Sequence, residues 1–110
     1  MVFANENCKL IRFNFGIGNA NYTSFCIVDY DTYCKFLSGL SRIYGLLMVN
    51  KPIYFSIGGI FSICFTDVET LKYCIEVCNV DELQIQVLKD LHIDIDNIGR
   101  DFVNTVISFI

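Results

Sequence analysis

The sequence predicts an α+β fold in which strands and helices follow the order ββαββαβ, with an additional C-terminal helix. Three observations lead to this prediction. Apolar residues alternate in several short segments, as on half-buried strands. In longer segments they recur every three or four positions, as on one face of a helix. Short glycine-containing turns connect neighbouring strands into hairpins. At 110 residues the chain has room for one domain, 1–110.

The first two strands are predicted to form a hairpin. Residues 8–15 alternate, and the side chains expected to face the core are Ile11, Phe13 and Phe15. Residues 16–19, Gly-Ile-Gly-Asn, tolerate positive φ and provide the turn. Residues 22–28 follow as the second strand, with Phe25 and Ile27 predicted to face inward.

A long helix is expected next. Asp29 or Asp31 can cap its first turn, because a carboxylate accepts hydrogen bonds from the unpaired N–H groups there. One stripe is formed by Tyr33, Phe36, Leu37, Leu40, Ile43 and Tyr44. Gly45 is expected to end the helix in a left-handed conformation. We expect this stripe to be the main anchor of the helix to the sheet.

The second half of the chain repeats the pattern. Pro52 precedes a third strand, 53–57, and Gly58-Gly59 is predicted to be a tight turn before a fourth, 60–65. Thr66 and Glu69 have the spacing of a capping box, which predicts a helix to about Cys78. Residues 82–88 alternate and are predicted to be the fifth strand.

A hairpin, a crossover helix and a second hairpin favour one arrangement, a mixed sheet with the first helix across one face. This is the ubiquitin-like β-grasp architecture, predicted here for residues 8–88. Residues 89–110 are then a helical C-terminal extension, in which Phe102, Val106 and Ile110 share one face. A helix of about ten residues is only marginally stable alone in water, so it must pack on another surface. That surface is either its own sheet or a groove of a second copy or another protein.

Three segments carry a resemblance to a known family. They are the opening strand Lys9-Leu-Ile-Arg-Phe, the helix at 30–45, and the closing runs Glu69-Thr-Leu-Lys-Tyr-Cys-Ile-Glu-Val-Cys and Asp81-Glu-Leu-Gln-Ile-Gln-Val-Leu. Over about 9–88 the chain resembles Phox-and-Bem-type domains, ubiquitin-like modules through which signalling and scaffold proteins pair.

The resemblance implies a front-to-back pairing in which a basic residue of the first strand meets an acidic partner, such as another ubiquitin-like domain. Lys9 or Arg12 would be that basic residue, and strand parity predicts that Arg12 faces outward. The acidic half of the family's pattern is absent, since Asp67 and Glu69 are the only carboxylates near the second hairpin and both fit helix capping. If the resemblance is only architectural, the interface is apolar.

The six cysteines are expected to be free, buried thiols. Each lies in an apolar, periodic segment, and the N-terminus lacks an apolar signal core, which predicts a reducing, cytoplasmic location. A zinc site would need an unusual set of ligands, because His92 is the single histidine. We therefore expect no metal and no cofactor.

Composition and motifs exclude several function classes. A net charge of −4 with scattered Lys and Arg argues against a nucleic-acid partner. No stretch reaches the length needed to span a membrane. Phosphate-binding glycine motifs and nucleophile elbows are missing. A Cys–His–Asp set would have to use His92 and Asp94, and a structural histidine is the simpler interpretation. We predict that the chain is not an enzyme.

The apolar content is high for so small a domain: 54% of residues are hydrophobic and the mean hydropathy is +0.48. Surplus apolar surface usually marks a partner interface, although an ordinary core from an Ile- and Phe-rich sequence also fits. Two functions follow. In the first, the chain is a protein-interaction domain of a scaffold or adaptor. In the alternative, it is a structural protein that forms a homo-oligomer through apolar surface and its C-terminal helix.

Overall fold

A computed structural model describes residues 8–57, 59, 61–80, 84, 86, 87, 90 and 97–110. Within these residues the chain is an α+β fold, as predicted. The elements in chain order are β1 (Lys9–Ile17), β2 (Ala20–Val28), α1 (Tyr30–Met48), β3 (Ile53–Ile57), β4 (Phe61–Phe65), α2 (Val68–Cys74), β5 (Ile75–Asn79) and α3 (Asn97–Ile107). The α+β class is therefore confirmed, but the fifth strand and the sheets are arranged differently from the prediction.

The described strands form two antiparallel sheets. One has three strands in the order β2-β1-β5, and the other is the β3–β4 hairpin. The prediction of a single mixed sheet is wrong for this part of the chain, because β5 runs antiparallel to β1. The β-grasp arrangement is therefore not confirmed, although the coarser α+β class is.

The fifth strand lies earlier in the chain than predicted. Ile75–Asn79 was expected to continue the second helix, but it pairs with β1. Gln84, Gln86 and Val87, which fall in the predicted strand 82–88, have helical backbone instead. Ile75 and Val77 are β-branched and alternate with Glu76, so pairing with β1 overrides the weaker helical spacing.

The first hairpin confirms part of the strand parity. Ile11, Phe13 and Phe15 are buried on one face of β1, as predicted. On β2 the predicted faces are reversed. Phe25 pairs with Arg12 and Ile27 with Leu10, so both lie on the outer face, while Ser24 and Val28 are buried. A strand's inward face is set by its register with the neighbouring strand, which its own alternation does not reveal.

Helix α1 begins as predicted and ends later. The Asp29 carboxylate accepts a hydrogen bond from the Thr32 N–H at 2.8 Å. Gly45 was expected to end the helix, but it lies inside, and the helix runs on to Met48. The extra turn buries Leu47, and Asn50, with φ 63°, takes the left-handed position beyond the end.

Helix α2 is capped by Asp67, one of the two carboxylates expected to fit helix capping, and not by the predicted Thr66–Glu69 capping box. The Asp67 carboxylate accepts hydrogen bonds from the Thr70 N–H at 2.8 Å and from its hydroxyl. The helix ends at Cys74 and buries Leu71 against the core. The spacing of Thr66 and Glu69 therefore located the start of the helix correctly, although the Asp67 side chain provides the cap.

Helix α3 occupies the centre of the molecule. It contacts β1, β2, β3 and α1, whereas α1 packs mainly on α3. The helix predicted at the C-terminus is thus confirmed, but it provides the close packing on the sheet that was expected of α1. Phe102 is fully buried there: its ring stacks on Phe13 of β1 at 3.8 Å between centroids and lies near Phe36 of α1 and Phe55 of β3.

Candidate functional site

Arg12 lies on the outer face of the three-stranded sheet, as strand parity predicts. Its guanidinium is 2.9 Å from the carboxylate of Glu76, its direct cross-strand partner on β5. The two side chains are 36% and 51% exposed. Arg12 therefore presents a charge that is already paired within the chain, and an acidic partner would have to compete with Glu76 for it.

Lys9 is also held by β5. Its ammonium group donates a hydrogen bond to the side-chain carbonyl of Asn79, the residue opposite it in the register. The same nitrogen lies 5.3 Å from the centre of the Tyr33 ring on α1, within the range of a cation–π interaction. Both predicted basic contacts thus have partners within the fold.

The three apolar tail residues predicted to bind a partner are placed differently from one another. Phe102 and Val106 are fully buried, and Ile110 is 62% exposed. Of the two docking alternatives, α3 takes the one on its own chain in this structure. Only Ile110 of the three is accessible to a partner while this packing holds.

An open groove of about 280 Å³ lies at one end of the sheet, where β1 extends beyond β5. β1 pairs with β2 from Lys9 to Ile17, but with β5 only from Lys9 to Phe13. Residues 14–17 therefore form an overhang of β1. The residues lining the groove are Asn14, Phe15, Gly16, Asn21, Tyr22, Thr23, Tyr73 and Cys74.

The walls of the groove are fixed by short-range contacts. The Thr23 hydroxyl donates to the side-chain carbonyl of Asn14 at 2.8 Å, and the rings of Phe15 and Tyr22 stack at 5.4 Å. Helix α2 ends at the opposite wall, where the Tyr73 side chain is 91% exposed. Burial raises the pKa of the neighbouring Cys74 thiol, which favours its neutral form. Among the described residues, the lining includes no Asp, Glu, Lys, Arg or His.

The sequence did not reveal this groove. It depends on the unequal lengths of β1 and β5, and the fifth strand was predicted at 82–88 instead of Ile75–Asn79. The short alternation of Ile75 and Val77 was the available signal. The helix predicted to about Cys78 covers this segment, because Leu71, Cys74 and Cys78 also fit helical spacing.

The cysteines are free, as expected, but only half of them are sheltered. Cys8, Cys26 and Cys74 are half-buried, while Cys34, Cys64 and Cys78 are exposed. The expectation of buried thiols is therefore wrong for the second three. Each lies on the outward side of its helix or strand. The spacing of apolar residues predicts the type of element, but it does not show which face is buried.

No group of three or more His, Cys, Asp or Glu side chains suited to a metal ion occurs among the described residues. His92 and Asp94, the residues of the hypothetical catalytic set, lie outside the described residues. Hydrogen bonds from Thr32 and Thr70 lower the pKa of Asp29 and of Asp67, which marks these two carboxylates as helix caps.

Comparison with known proteins leaves geometry as the basis for a functional assignment. In the part of the chain that the structure describes, no helix has both the length and the apolar character needed to cross a membrane. No family model, no curated protein and no solved structure matches this chain.

Proposed function

We propose that this chain is a non-catalytic protein-interaction domain of a scaffold or adaptor. The observation that carries the proposal is the groove at the end of the sheet, with Tyr73 fully presented at one wall and Tyr22 exposed at another. Exposed tyrosines are enriched at protein interfaces, because the ring buries a large area and the hydroxyl still finds a hydrogen-bond partner.

The rest of the described surface agrees with a binding role. The side chains of Met48, Val49 and Tyr54 are each more than half exposed. Other large apolar side chains of the chain are buried in its core, so these three provide apolar surface for a partner. The three exposed and three half-buried free thiols fit a reducing compartment, so a cytoplasmic location is part of the proposal.

The Phox-and-Bem resemblance provides a narrower version of this proposal, in which Lys9 and Arg12 meet an acidic ubiquitin-like domain. The succession of elements and the outward position of Arg12 support it. The antiparallel pairing of β1 with β5 and the engagement of both basic groups by Glu76 and Asn79 weigh against it. Charge reversal at both positions, Lys9→Glu with Arg12→Glu, should weaken the complex only in this version.

The homo-oligomer alternative is less favoured by the geometry, since Phe102 and Val106 are core residues. Removal of residues 99–110 is not a usable test of it, because the deletion takes out the central helix. Ile110→Asp leaves the core intact and is the better variant. A mass by light scattering that falls to the monomer only in Ile110→Asp would establish the oligomer.

The proposal that this chain is a protein-interaction domain is tested by affinity capture from a lysate of the source cells. The baits are the full chain and its variants Tyr73→Ser and Tyr54→Ser. Both tyrosines are exposed, but only Tyr73 lies at the groove. We expect a stoichiometric protein partner to be retained by the full chain and by Tyr54→Ser and lost with Tyr73→Ser. Equal capture by all three, or no specific partner, would contradict the proposal.

A further inference from the structure

On the β5 side, the overhang of β1 extends beyond the last residue that the described part of β5 pairs with. Beyond Phe13, no described residue is in ladder register with β1 on the side where β5 lies. A strand edge offers alternating N–H and C=O groups, and each residue directs both groups to the same side. In an antiparallel hairpin, alternate residues direct their backbone groups to the neighbouring strand. The residues of β1 that do not bond to β2 therefore direct their groups to the β5 side.

The hydrogen-bond phase of the hairpin, that is, which residues of β1 bond to β2, follows from the turn. Ile17 and Ala20 close a two-residue turn, so they form a hydrogen-bonded pair, and the odd-numbered residues of β1 direct their backbone groups to β2. The even-numbered residues then face β5. An independent contact agrees, since the Val80 N–H donates to the carbonyl of Cys8 at 3.3 Å.

A second contact supports the same phase on the other side of the hairpin. Phe25 pairs with Arg12, an even-numbered residue, so its backbone groups should point away from β1. The backbone of Phe25 lies directly against Gly99 at the start of α3, on that outer side. The start of α3 thus covers the edge of β2, whereas the N–H and C=O groups of Asn14 and Gly16 face the β5 side of β1, and both residues line the groove.

The dimensions and chemistry of the groove select an extended chain. Its volume of about 280 Å³ lies just below the range of pockets that enclose a small ligand, roughly 300–1,000 Å³, and it is open. The described part of its lining is mainly aromatic and amide and includes no Asp, Glu, Lys, Arg or His. Backbone groups in strand geometry recognise another backbone, and the tyrosines at the walls receive apolar side chains.

We propose that an uncharged, extended segment of a partner protein adds to the sheet as a short strand along residues 14–17 of β1, in line with β5. The inference rests on the proposed function, for which it specifies the mode of binding. Asn14 and Gly16 provide the backbone hydrogen bonds, and Tyr73 and Tyr22 provide the side-chain contacts.

A second copy of this chain fits the site less well than a separate extended segment. In a symmetric pairing of two overhangs, each copy would have to accommodate the end of α2 and Tyr73 that lie beside the overhang of the other. An extended segment of another protein, which carries no helix beside it, fits along an edge four residues long. Dimer formation through this edge is an outcome that would overturn the inference.

The premise is tested on the protein without a partner by NMR hydrogen exchange. We expect the amides of Asn14 and Gly16 to exchange quickly, while those of Phe13 and Phe15, which face β2, are protected. Protection of Asn14 and Gly16 comparable to that of Phe13 would show that the edge is already satisfied and would overturn the inference.

Binding is tested with a library of twelve-residue peptides displayed on phage, selected on the full chain. A selected peptide is then synthesised and its affinity measured for wild type, Gly16→Pro and Gly16→Ala. Proline removes the N–H that faces the groove and leaves the pairing with β2 in place. Alanine keeps the N–H, and its β-carbon would meet the Asn21 side chain only at 3.4 Å.

We expect Gly16→Pro to weaken binding at least about tenfold and Gly16→Ala less than about twofold, with wild-type melting curves for both. Affinity should change little between about 0.1 M and about 1 M salt, because the described lining includes no Asp, Glu, Lys, Arg or His. Failure to select a peptide, or a peptide that ignores Gly16→Pro, would overturn the inference. If Tyr73→Ser still abolishes capture of the natural partner, the interaction-domain proposal stands without strand addition.

Discussion

Gly39 of α1 lies directly against the backbone of Val106 in α3, and a β-carbon at position 39 would overlap the Val106 carbonyl oxygen. Gly99, at the other end of α3, makes the same kind of approach to the backbone of Phe25 on β2. The central helix is thus held between α1 and the sheet by two glycines that permit backbone contact. The requirement at both positions is space, since neither glycine has a positive φ.

Gly39→Ala should destabilise the fold by about 3 kcal/mol, because the helices must separate to admit the methyl group. Gly45→Ala is the matched control on the same helix. Nothing lies within 4 Å of its β-carbon position, so this variant should gain about 0.5–1 kcal/mol from helix propensity. Urea denaturation measures both. Equal destabilisation by the two variants would contradict the close approach of α1 and α3.

Phe102→Ala should cost about 3–5 kcal/mol in the free energy of unfolding. The ring joins β1, α1 and β3, and its removal leaves a cavity that these three elements cannot fill together. Tyr54→Ala removes a large but exposed ring and should change stability by less than about 0.5 kcal/mol. A Phe102→Ala variant as stable as Tyr54→Ala would refute the central position of α3.

The helix caps predict the stability of the protein in acid. Hydrogen bonds from Thr32 and Thr70 lower the pKa of Asp29 and of Asp67 in the folded state. A lowered folded-state pKa gives stability that is present above the unfolded value, near about 4, and is lost as the pH falls through the folded value. Between about pH 6 and pH 2, thermal melts of Asp29→Asn with Asp67→Asn should depend less on pH than wild type does.

The control for this experiment is Asp31→Asn. Asp31 lies in the same first turn as the cap at Asp29, and its substitution removes one negative charge without removing a cap. We expect its acid profile to follow that of wild type more closely than the profile of the double variant does. If all three profiles coincide, the caps do not govern stability in acid.

The Arg12–Glu76 pair should contribute a small, salt-dependent coupling between β1 and β5. A double-mutant cycle with Arg12→Ala and Glu76→Ala is expected to give about 0.2–1 kcal/mol, since both side chains are more than one third exposed. The coupling should shrink in about 1 M salt. A coupling of zero at low salt would show that the pair does not form in solution.

Thiol labelling should divide the cysteines into two groups. Cys34, Cys64 and Cys78 are exposed and are expected to react with iodoacetamide first, as followed by peptide mass spectrometry. Cys74 should be slow, because burial both shields its thiol and raises its pKa, so that less thiolate is present. Rapid modification of Cys74 in the native protein would contradict the packing of α2 against the core.

The sequence predicted local structure well where one physical cause dominates. Alternation on β1 identified Ile11, Phe13 and Phe15 as core residues, and the three-to-four spacing identified the buried Phe36, Leu40 and Ile43 of α1. These patterns are reliable because water exclusion acts on each side chain in proportion to its apolar area. The outward direction of Arg12 followed from the same alternation.

The candidate site was largely beyond reach of the sequence. Lys9 and Arg12 were identified, but their partners, Asn79 and Glu76, lie about 70 and 64 positions away in a segment interpreted as helix. The groove follows from the point at which β5 stops pairing with β1. The local pattern of a single sequence does not specify the register in which β5 pairs with β1.

The sequence by itself determined the first hairpin, the long helix that follows it and the side chains of β1 that leave water, because these choices depend on neighbours within a few residues. The tertiary structure decided the rest: that α3 rather than α1 packs closely on the sheet, that Ile75–Asn79 is a strand, and that β1 extends past it. These outcomes depend on long-range pairing and on two glycines that let backbones touch. Competition between distant partners decides such contacts, and local periodicity does not record it.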